Sequence, residues 1–269
     1  MTRDDSEWQG NRRSGRSDVT KSEFNPELYD NIAPGYYDYV YRRGRGVQWF
    51  WHLRRFQRVL DYLPSTAKRL LDIGCGPGTF LGQFSDRYER AVGIDIAEGQ
   101  VAHARRNYSD VGAEFRVADL RDLTAAGEQF DAVVSIEVIE HLPMSDVQPF
   151  LALVRSVLRP GGTVVFTTPN YHSFWPIIEW LISVRGHVDY RVQHLTHFNP
   201  SMLRRELKHA GFEIERLSTF FIVSPFLAGV SPRLARFIGR MEEFVLPLLG
   251  SEIAVKAVRP SGESARGDG

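Results

Sequence analysis

Three glycines that alternate with other residues follow an apolar run near position 70. The run ends at Ile73, and the glycines are Gly74, Gly76 and Gly78. A strand that ends in such a turn lets its backbone approach a ligand closely, because no Cβ atom stands in the way. The dinucleotide fingerprint G-x-G-x-x-G would need a glycine at position 79, where this chain has Thr79. The spacing therefore predicts a nucleotide-type pocket and argues against a dinucleotide.

A carboxylate follows this turn at the sequence separation expected of a residue that binds ribose. Asp95 comes at the end of the next predicted strand, about twenty residues after the first glycine. An acid at this place accepts hydrogen bonds from two neighbouring ribose hydroxyls. The alternative for Asp95 is a loop residue that starts the following helix. The glycine turn and the acid together favour the ribose interpretation.

Two carboxylates and an imidazole occur within five residues just after another predicted strand. They are Glu137, Glu140 and His141, and two further histidines, His194 and His197, lie downstream. Carboxylate oxygens and imidazole nitrogens bind divalent cations such as Mg²⁺, which then act as Lewis acids on an acceptor hydroxyl. Without a metal, an imidazole can remove the proton from such a hydroxyl, because its pKa lies near neutrality. The residues alone leave both chemistries open.

The elements that carry these residues alternate along the chain. Short runs rich in Val, Ile and Phe are separated by segments whose apolar residues recur every three or four positions. This alternation predicts an α/β fold, with a doubly wound, seven-stranded, mostly parallel sheet and helices on both faces. Before the last strand, a helix with one apolar face is predicted over residues 233–249. The predicted strands are residues 69–73, 90–94, 114–118, 130–136, 163–168, 212–220 and 252–258, and the other predicted helices are residues 100–108, 147–158, 174–184 and 201–210.

The segment Asp72-Ile73-Gly74-Cys75-Gly76-Pro77-Gly78 resembles the first motif of class I S-adenosylmethionine-dependent methyltransferases. The resemblance extends over about residues 68–170, and it implies the Rossmann-like fold of that family and S-adenosyl-L-methionine as the cofactor. It implies that Asp72 helps to hold the cofactor's amino group, that Asp95 binds the ribose and that Asp119 approaches the adenine. The implied site also includes Ile96, Leu120 and Glu137. The further matching segments are Gly93-Ile94-Asp95, Val117-Ala118-Asp119-Leu120, Phe130-Asp131-Ala132-Val133 and Leu158-Arg159-Pro160-Gly161-Gly162.

The segment from Glu137 to His141 also resembles the metal-binding E-x-x-E-H of small-RNA 3′-end 2′-O-methyltransferases. Similar sequences occur in the O-methyltransferases of ubiquinone biosynthesis, and His197 best matches the downstream histidine of these relatives. The resemblance implies Mg²⁺ or another divalent metal, held by Glu137, Glu140, His141 and His197. The residues after His197 also resemble methyltransferases that use no metal. In that case His141, His194 or His197 is the candidate general base.

Charge and composition limit the compartment and the partners. The chain has 33 Lys and Arg residues against 33 Asp and Glu residues, and a net charge of zero disfavours nucleic acid as a partner. The single Cys75 excludes an intramolecular disulfide, and the first residues lack the apolar core of an export signal. The sequence therefore predicts a cytoplasmic protein. Disordered tails are predicted over residues 1–24 and 260–269, and a methyltransferase domain over residues 25–259. Within that domain, residues 68–170 are the predicted cofactor-binding core and residues 171–250 the predicted acceptor-binding and cover region.

The acceptor should be recognised by the segments outside the shared core. Residues 29–63, 171–190 and 220–249 are apolar and aromatic, which is typical either of helices that cover a sheet or of an apolar pocket. The pocket interpretation predicts O-methylation of a small-molecule or lipid-linked acceptor by in-line displacement. Nearby basic residues predict peripheral contact with the inner surface of an anionic membrane. They are Arg185, Arg233, Arg236 and Arg240.

Three alternatives to this function remain at the level of sequence. One is a metal-dependent RNA 2′-O-methyltransferase, which the E-x-x-E-H segment suggests. The others are an NAD-dependent oxidoreductase, which would share the sheet and the ribose-binding acid, and a cofactor-binding module without catalysis. The sequence leaves the identity of the acceptor and the oligomeric state open.

Overall fold

The computed structural model describes residues 33–185, 193–245 and 249–262. The predicted tail 1–24 and most of the predicted tail 260–269 lie outside these ranges. Residues 260–262 belong to the described part. They follow the last strand of the chain, and Ser261 lies beside Gly161. Within the described residues, the helices are all too short or too polar to cross a membrane.

One sheet of seven strands forms the centre of the molecule, as predicted. The strands are β1 (Ala67–Ile73), β2 (Tyr88–Asp95), β3 (Ala113–Val117), β4 (Phe130–Ile136), β5 (Leu158–Pro169), β6 (Glu213–Phe220) and β7 (Glu252–Val258). They lie in the order β3-β2-β1-β4-β5-β7-β6, and only β7 runs antiparallel to its neighbours. The order reverses between β1 and β4, so ligands are expected beyond the carboxyl ends of these two strands.

Helices cover both faces of the sheet. In the described residues they are α1 (Tyr36–Arg42), α2 (Val47–Tyr62), α3 (Thr79–Gln83), α4 (Glu98–Asn107), α5 (Leu120–Ala125), α6 (Met144–Val157), α7 (Trp175–Arg185), α8 (Pro200–His209), α9 (Ser224–Leu227) and α10 (Pro232–Val245). Side chains of α2, α3, α4 and α7 share one apolar core with the sheet, and those of α5, α6 and α8 share the other. Neighbouring strand residues enter opposite cores, as with Leu70 and Leu71 of β1, because side chains alternate across a sheet.

The predicted strand boundaries agree with the structure to within a few residues, except at the start of β5. That strand was expected over residues 163–168, with Leu158 as the last residue of the preceding helix. In the structure Leu158 is already in the strand and pairs with Phe130 of β4. The prediction was wrong here because pairing with a neighbouring strand, rather than local periodicity, decides the boundary.

The helix predicted over residues 233–249 is present in the described part, and its larger apolar residues lie on the exposed side. Residues 246–248 lie outside the described part, and α10 ends at Val245. Its buried residues are the small Ala235 and Gly239, and Ser224 of α9 lies 3.3 Å from the position that a Cβ atom on Gly239 would occupy. Close packing against α9 therefore uses the small residues. The larger residues of the predicted apolar face point outward, namely Leu234, Phe237 and Met241.

Candidate active site

The glycine turn joins β1 to α3 at the point where the strand order reverses. The backbone N–H groups of Gly74 and Cys75 both donate to the carbonyl of Ile94, over 2.9 and 3.0 Å. Gly74 and Gly78 have positive φ angles, and an added Cβ atom would collide with Val138 at the first and with Ala104 and Phe115 at the second. These two glycines are needed for packing.

Gly76 is different, because a Cβ atom added there would meet nothing within 4 Å. Its φ of 51° lies in the left-handed region that glycine tolerates best. The open space in front of its backbone is what a bound ligand would need. The turn therefore has the shape expected of a cradle, with two glycines that shape it and one that faces the opening.

Asp72 lies at the end of β1, directly below the turn. Its carboxylate is buried and makes no hydrogen bond within the described part of the chain. Burial, and to a lesser extent the nearby Asp95, raises the pKa of Asp72 well above its ordinary value. A buried carboxylate without partners is costly, and a positively charged ligand group beside it would remove that cost.

Asp95 braces the turn through the backbone. One carboxylate oxygen accepts from the N–H of Gly76 over 2.8 Å, and the other accepts from the N–H of Ala97 at the start of α4, also over 2.8 Å. Asp95 therefore does have the alternative role considered from the sequence, that of a loop residue at the start of the following helix. Each oxygen can still accept a second hydrogen bond, so ribose binding stays a prediction. The neighbouring Ile96 is 42% exposed and offers an apolar surface beside it.

Asp119 starts α5 with a reciprocal pair of hydrogen bonds. Its side chain accepts from the N–H of Arg121 over 2.8 Å, and its own N–H donates to Asp122 over 2.9 Å. This capping box accounts for the position of Asp119 without a ligand. Leu120, the next residue, is buried in the core below α5 and α6. The adenine contact implied for Asp119 and Leu120 stays a prediction.

Glu137 follows β4 with a backbone conformation that is unusual for its type. Its φ is 57°, and such strain in a non-glycine residue is concentrated at functional sites. The carboxylate accepts from the hydroxyl of Thr167 over 2.8 Å and lies 3.2 Å from the guanidinium of Arg55. Burial raises the pKa of Glu137 to about 8, although Arg55 acts in the opposite direction.

Arg55 is a site residue that the sequence did not reveal. It lies in α2 and donates two hydrogen bonds to the fully buried Glu252 of β7, one of them over 2.9 Å. The indole N–H of Trp51 donates to the same carboxylate. One guanidinium thus faces the carboxylates of Glu252, Glu137 and Glu140, and burial raises the pKa of both Glu137 and Glu140. The available signal was a charged residue on the apolar stripe of α2, between the buried Trp51 and Val59.

Glu140 and His141 lie in a short 3₁₀ turn after Glu137. One oxygen of the fully buried Glu140 accepts from Thr168 over 3.1 Å, whereas its Oε1 atom has no hydrogen-bond partner in the described part. The Nδ1 atom of His141 donates to the backbone oxygen of Gln193 over 3.0 Å. Burial, assisted by the nearby His194, lowers the pKa of His141 to about 3, so its ring is neutral.

His194 is held by a buried carboxylate. Its Nδ1 atom lies 2.7 Å from Glu179 Oε1, and the hydroxyl of Tyr171 donates to the same oxygen over 2.6 Å. Burial raises the pKa of Glu179, but the hydrogen bonds from His194 and Tyr171 bring it below its ordinary value. Because an ionised carboxylate only accepts, the Nδ1 atom of His194 carries a proton.

The structure brings together three residues of types that can bind a metal, and this group differs from the predicted ligand set. The candidate ligand atoms of Glu140, His141 and His194 all lie within 4.8 Å of one another. Glu137 instead contacts Arg55 and Thr167, and His197 is exposed and stacks on the ring of Tyr171 at 4.0 Å. Glu137 and His197 thus lie outside this group of three, and the metal-binding roles implied for them stay predictions.

Aromatic side chains adjoin the cluster on one side. The ring of Trp175 lies 6.2 Å from that of His194 and 5.8 Å from that of Trp51, which also contacts Phe221 at 4.8 Å. These rings come from α7, α2 and the end of β6, three of the segments expected to recognise an acceptor. These rings are buried in the core that α2 and α7 share with the sheet. We call them the apolar wall, and it lies beside the histidines, whereas the glycine turn is polar.

Comparison with known proteins agrees with this geometry. A family model described as a methyltransferase domain matches residues 41–217. A ubiquinone biosynthesis O-methyltransferase from Dinoroseobacter shibae is 35% identical over 56% of this chain and 62% of that protein. A protein of the same name from Azorhizobium caulinodans is 30% identical over 64% of this chain and 67% of its own length. The chain thus spans about three-fifths to two-thirds of these curated relatives.

A solved structure shows the same fold. The S-adenosylmethionine-dependent methyltransferase from Archaeoglobus fulgidus superposes with a TM-score of 0.56 and 21% identity, covering 76% of this chain and 91% of that one. The family model covers more than half of the chain, and the NAD-dependent oxidoreductase alternative is thereby rejected. The protein belongs to the class I S-adenosylmethionine-dependent methyltransferases.

Proposed function

We propose that this protein transfers a methyl group from S-adenosylmethionine to a hydroxyl oxygen of a small, apolar or lipid-linked acceptor. The observation that carries the proposal is the cluster of Glu140, His141 and His194, which lies beside the aromatic wall at the end of β4. Methylation of oxygen requires that a proton be removed or a hydroxyl be polarised, and this cluster supplies groups for either task. The names of the two curated relatives also favour O-methylation.

The glycine turn is the proposed place of the cofactor. S-adenosylmethionine supplies a methyl group on a positively charged sulfur, and it also carries an ammonium group. The buried carboxylate of Asp72, which lacks other partners in the described part, suits such positive charge. Gly76 leaves room for the ligand, and the oxygens of Asp95 have remaining capacity for the ribose hydroxyls. No phosphate site is needed, which agrees with the missing third glycine.

His194 is the proposed base. The acceptor oxygen forms a bond to the methyl carbon while the carbon–sulfur bond breaks, and its electron pair stays on sulfur in S-adenosylhomocysteine. The hydroxyl proton goes to Nε2 of His194. Glu179 orients the ring and stabilises the imidazolium that forms, since it accepts from Nδ1 over 2.7 Å. Most of the rate enhancement then comes from alignment of the acceptor and exclusion of water.

A divalent metal at Glu140, His141 and His194 is the second form of the proposal. The unpartnered Oε1 atom of Glu140 supports it, as does the hydrogen bond from His141 to a backbone carbonyl, which is typical of metal-ligating histidines. The donor set fits Mg²⁺ poorly and an imidazole-binding metal such as Zn²⁺ or Mn²⁺ better. A cation bound there would lower the pKa of the acceptor hydroxyl. Both roles use the same lone pair of His194, so they exclude each other.

The apolar wall supports the proposal of an apolar acceptor. Trp175 and Trp51 come within ring-contact distance of each other and lie on the side of His194. Aromatic surfaces of this kind bury an apolar ring or chain while a few polar groups fix its orientation. The formal net charge of zero gives no general attraction for RNA, which makes the RNA alternative weaker.

Transfer of a deuterated methyl group tests the proposal. The protein would be incubated with labelled cofactor and either a lipid extract or total RNA, with and without a chelator, and the products analysed by mass spectrometry. We expect labelled hydroxyl groups in the lipid fraction. Loss of labelling on chelation, restored by added Zn²⁺ or Mn²⁺, would favour the metal form, whereas unchanged labelling would favour His194 as the base. Label in RNA alone would contradict the proposed acceptor class, and no label anywhere would indicate a binding module.

A further inference from the structure

The outward side of α10 is apolar, although it faces solvent. Leu234, Phe237 and Met241 are 46%, 62% and 48% exposed, and their spacing of three and four places them on one side of the helix. The opposite side contains the buried Ala235 and Gly239. A helix that already buries its small residues and still exposes a row of large apolar ones has a surface without a partner in this structure.

Three arginines form a second row beside the first. Arg233, Arg236 and Arg240 are all exposed and repeat with the same spacing of three and four. Among the described residues, none of them forms an ion pair or a hydrogen bond with another side chain. Their charges are therefore available on the same outward surface as the apolar row.

The one acid of α10 whose side chain is described, Glu242, does not neutralise these arginines, because it is used inside the fold. Glu242 of α10 accepts from the N–H groups of Val223 and Ser224 over 2.6 and 2.9 Å, and from the hydroxyl of Ser224 over 2.7 Å. This carboxylate satisfies the start of α9 and attaches α9 to α10. The described charges that point outward from α10 are thus basic.

The apolar surface continues from α10 onto α9 and the turn that follows it. Val223, Phe226 and Val230 are 51%, 47% and 87% exposed. We call the exposed residues of the two helices the α9–α10 face, and they are Val223, Phe226, Val230, Arg233, Leu234, Arg236, Phe237, Arg240 and Met241. An exposed apolar surface of this kind usually marks a site of association.

We propose that the α9–α10 face binds the surface of an anionic lipid bilayer. Helices that lie in the membrane interface present large apolar residues to the acyl boundary and arginines to the anionic headgroups. Three arginines beside the apolar row, which have no acidic partner among the described side chains, fit a surface with many negative charges. The face therefore combines both features that interfacial binding requires.

The position of the face suits an apolar or lipid-linked acceptor. In this respect the inference rests on the proposed function. The ring of Phe226 lies 6.4 Å from that of Trp51. Trp51 in turn contacts Trp175, whose ring lies beside His194. A bilayer under the α9–α10 face would therefore lie next to the buried rings that adjoin His194. An acceptor held in the bilayer would then start close to the site.

Vesicle sedimentation of the full chain tests the proposal without acceptor or cofactor. We would compare vesicles of phosphatidylcholine alone with vesicles that contain about 30% phosphatidylglycerol. The wild type should bind the anionic vesicles and bind neutral ones much more weakly. Combined replacement of Arg233, Arg236 and Arg240 by Gln should weaken binding on the order of 100-fold, since each arginine near the surface contributes about a fivefold factor. Phe237→Glu should weaken it about tenfold or more.

A matched control separates this face from net charge. Lys68, Arg90 and Arg204 are exposed and lie elsewhere on the molecule, and their combined replacement by Gln changes the net charge by the same amount. This control should bind anionic vesicles nearly as well as the wild type. Equally weakened vesicle binding in both triple variants would overturn the proposal. A wild type that does not bind anionic vesicles would also overturn it. Self-association of the wild type that Phe237→Glu abolishes, without lipid binding, would assign the face to a second copy of the chain instead.

Failure of the proposed function would look different from failure of this inference. Vesicle binding needs neither methyl transfer nor the histidines, so a protein that binds vesicles but methylates no lipid would contradict the acceptor class alone. A protein that methylates a lipid in detergent but does not bind vesicles would contradict only the α9–α10 face. Unchanged affinity for S-adenosylhomocysteine in all variants would show that their fold is intact.

Discussion

The proposed cofactor side and the proposed acceptor side of this site are built in different ways. On the cofactor side, Gly76 and Asp95 are 19 positions apart, and the hydrogen bonds of Asp95 go to the backbone. On the acceptor side, Arg55 and Glu252 are 197 positions apart and meet side chain to side chain. The first side is a local shape made by two neighbouring turns, whereas the second is a balance of charges gathered from distant parts of the chain.

This difference has consequences for mutation. A site made of backbone N–H groups and glycines keeps its shape when one side chain is removed, so substitutions there should affect binding more than folding. A buried charge network loses its balance when one member is removed, because the partners left behind are unpaired and desolvated. Substitutions on the acceptor side should therefore divide into those that lower stability and those that lower turnover.

The largest effect is expected from Arg55→Leu. It would leave Glu252 and Glu137 buried without their cation, and removal of one partner from a buried pair costs about 3 to 5 kcal/mol. Urea unfolding would measure the loss of free energy. The neighbouring Arg54, which is half-buried and bonds to Gln57, is the matched control, and Arg54→Leu should cost less than about 1 kcal/mol. Equal losses would show that the network does not stabilise the fold.

His194→Ala should lower turnover on the order of 100-fold or more, because it removes either the base or a metal ligand. Affinity for S-adenosylhomocysteine should change little, since the proposed cofactor side is separate, whereas the free energy of unfolding should fall because the buried Glu179 loses its partner. His197→Ala is the control, because His197 is exposed and stacks on Tyr171. Turnover of the His197→Ala variant should fall less than about tenfold. Steady-state kinetics with a methylated product as readout would decide, and a larger loss in His197→Ala would restore His197 to the reacting centre.

Asp95→Ala should weaken binding of S-adenosylhomocysteine by about 1 to 3 kcal/mol, because the ribose hydroxyls lose their acceptor and the Gly76 N–H loses its partner. Turnover at saturating cofactor should fall much less than affinity. Isothermal titration calorimetry measures the first quantity and initial rates the second. An unchanged affinity would leave Asp95 only its role in bracing the turn.

The smallest effect is expected at the start of α5. Asp119→Ala and Asp122→Ala each remove one half of the capping box, and each should lower the free energy of unfolding by about 1 kcal/mol. Only Asp119→Ala should also weaken S-adenosylhomocysteine binding, because the family resemblance assigns the adenine contact to Asp119. Equal affinities in the two variants would limit Asp119 to capping.

Much of the fold was predictable, because each central strand is buried on both sides and is followed by a turn or helix. What the sequence left open in α10 is which side of the helix packs against the rest of the fold. Gly239 and Ala235 take the inner side because they let Ser224 of α9 approach closely. Periodicity locates a helix but does not say which of two apolar sides is buried when one of them consists of small residues.

The candidate site was predictable only where it is local. The glycine turn and Asp95 follow directly from spacing, and the structure places them together as expected. The choice between His194 and His197 could not be made from sequence, because it depends on how the chain after residue 193 packs against Glu140. Arg55, Glu179 and Glu252 were missed because their partners lie on other elements, and a single charged residue in an apolar stripe does not identify its partner.

Calorimetric titration of S-adenosylhomocysteine into the wild type and the Gly76→Ala variant tests most directly whether the glycine turn holds the cofactor. A Cβ atom at position 76 meets no protein atom within 4 Å, so the variant should fold with a loss of about 1 kcal/mol for its positive φ. We predict one binding site in the wild type and at least about tenfold weaker binding in the folded variant, a difference of about 1.4 kcal/mol. Absence of binding heat in the wild type, or equal affinity in the two proteins, would contradict the placement of the cofactor.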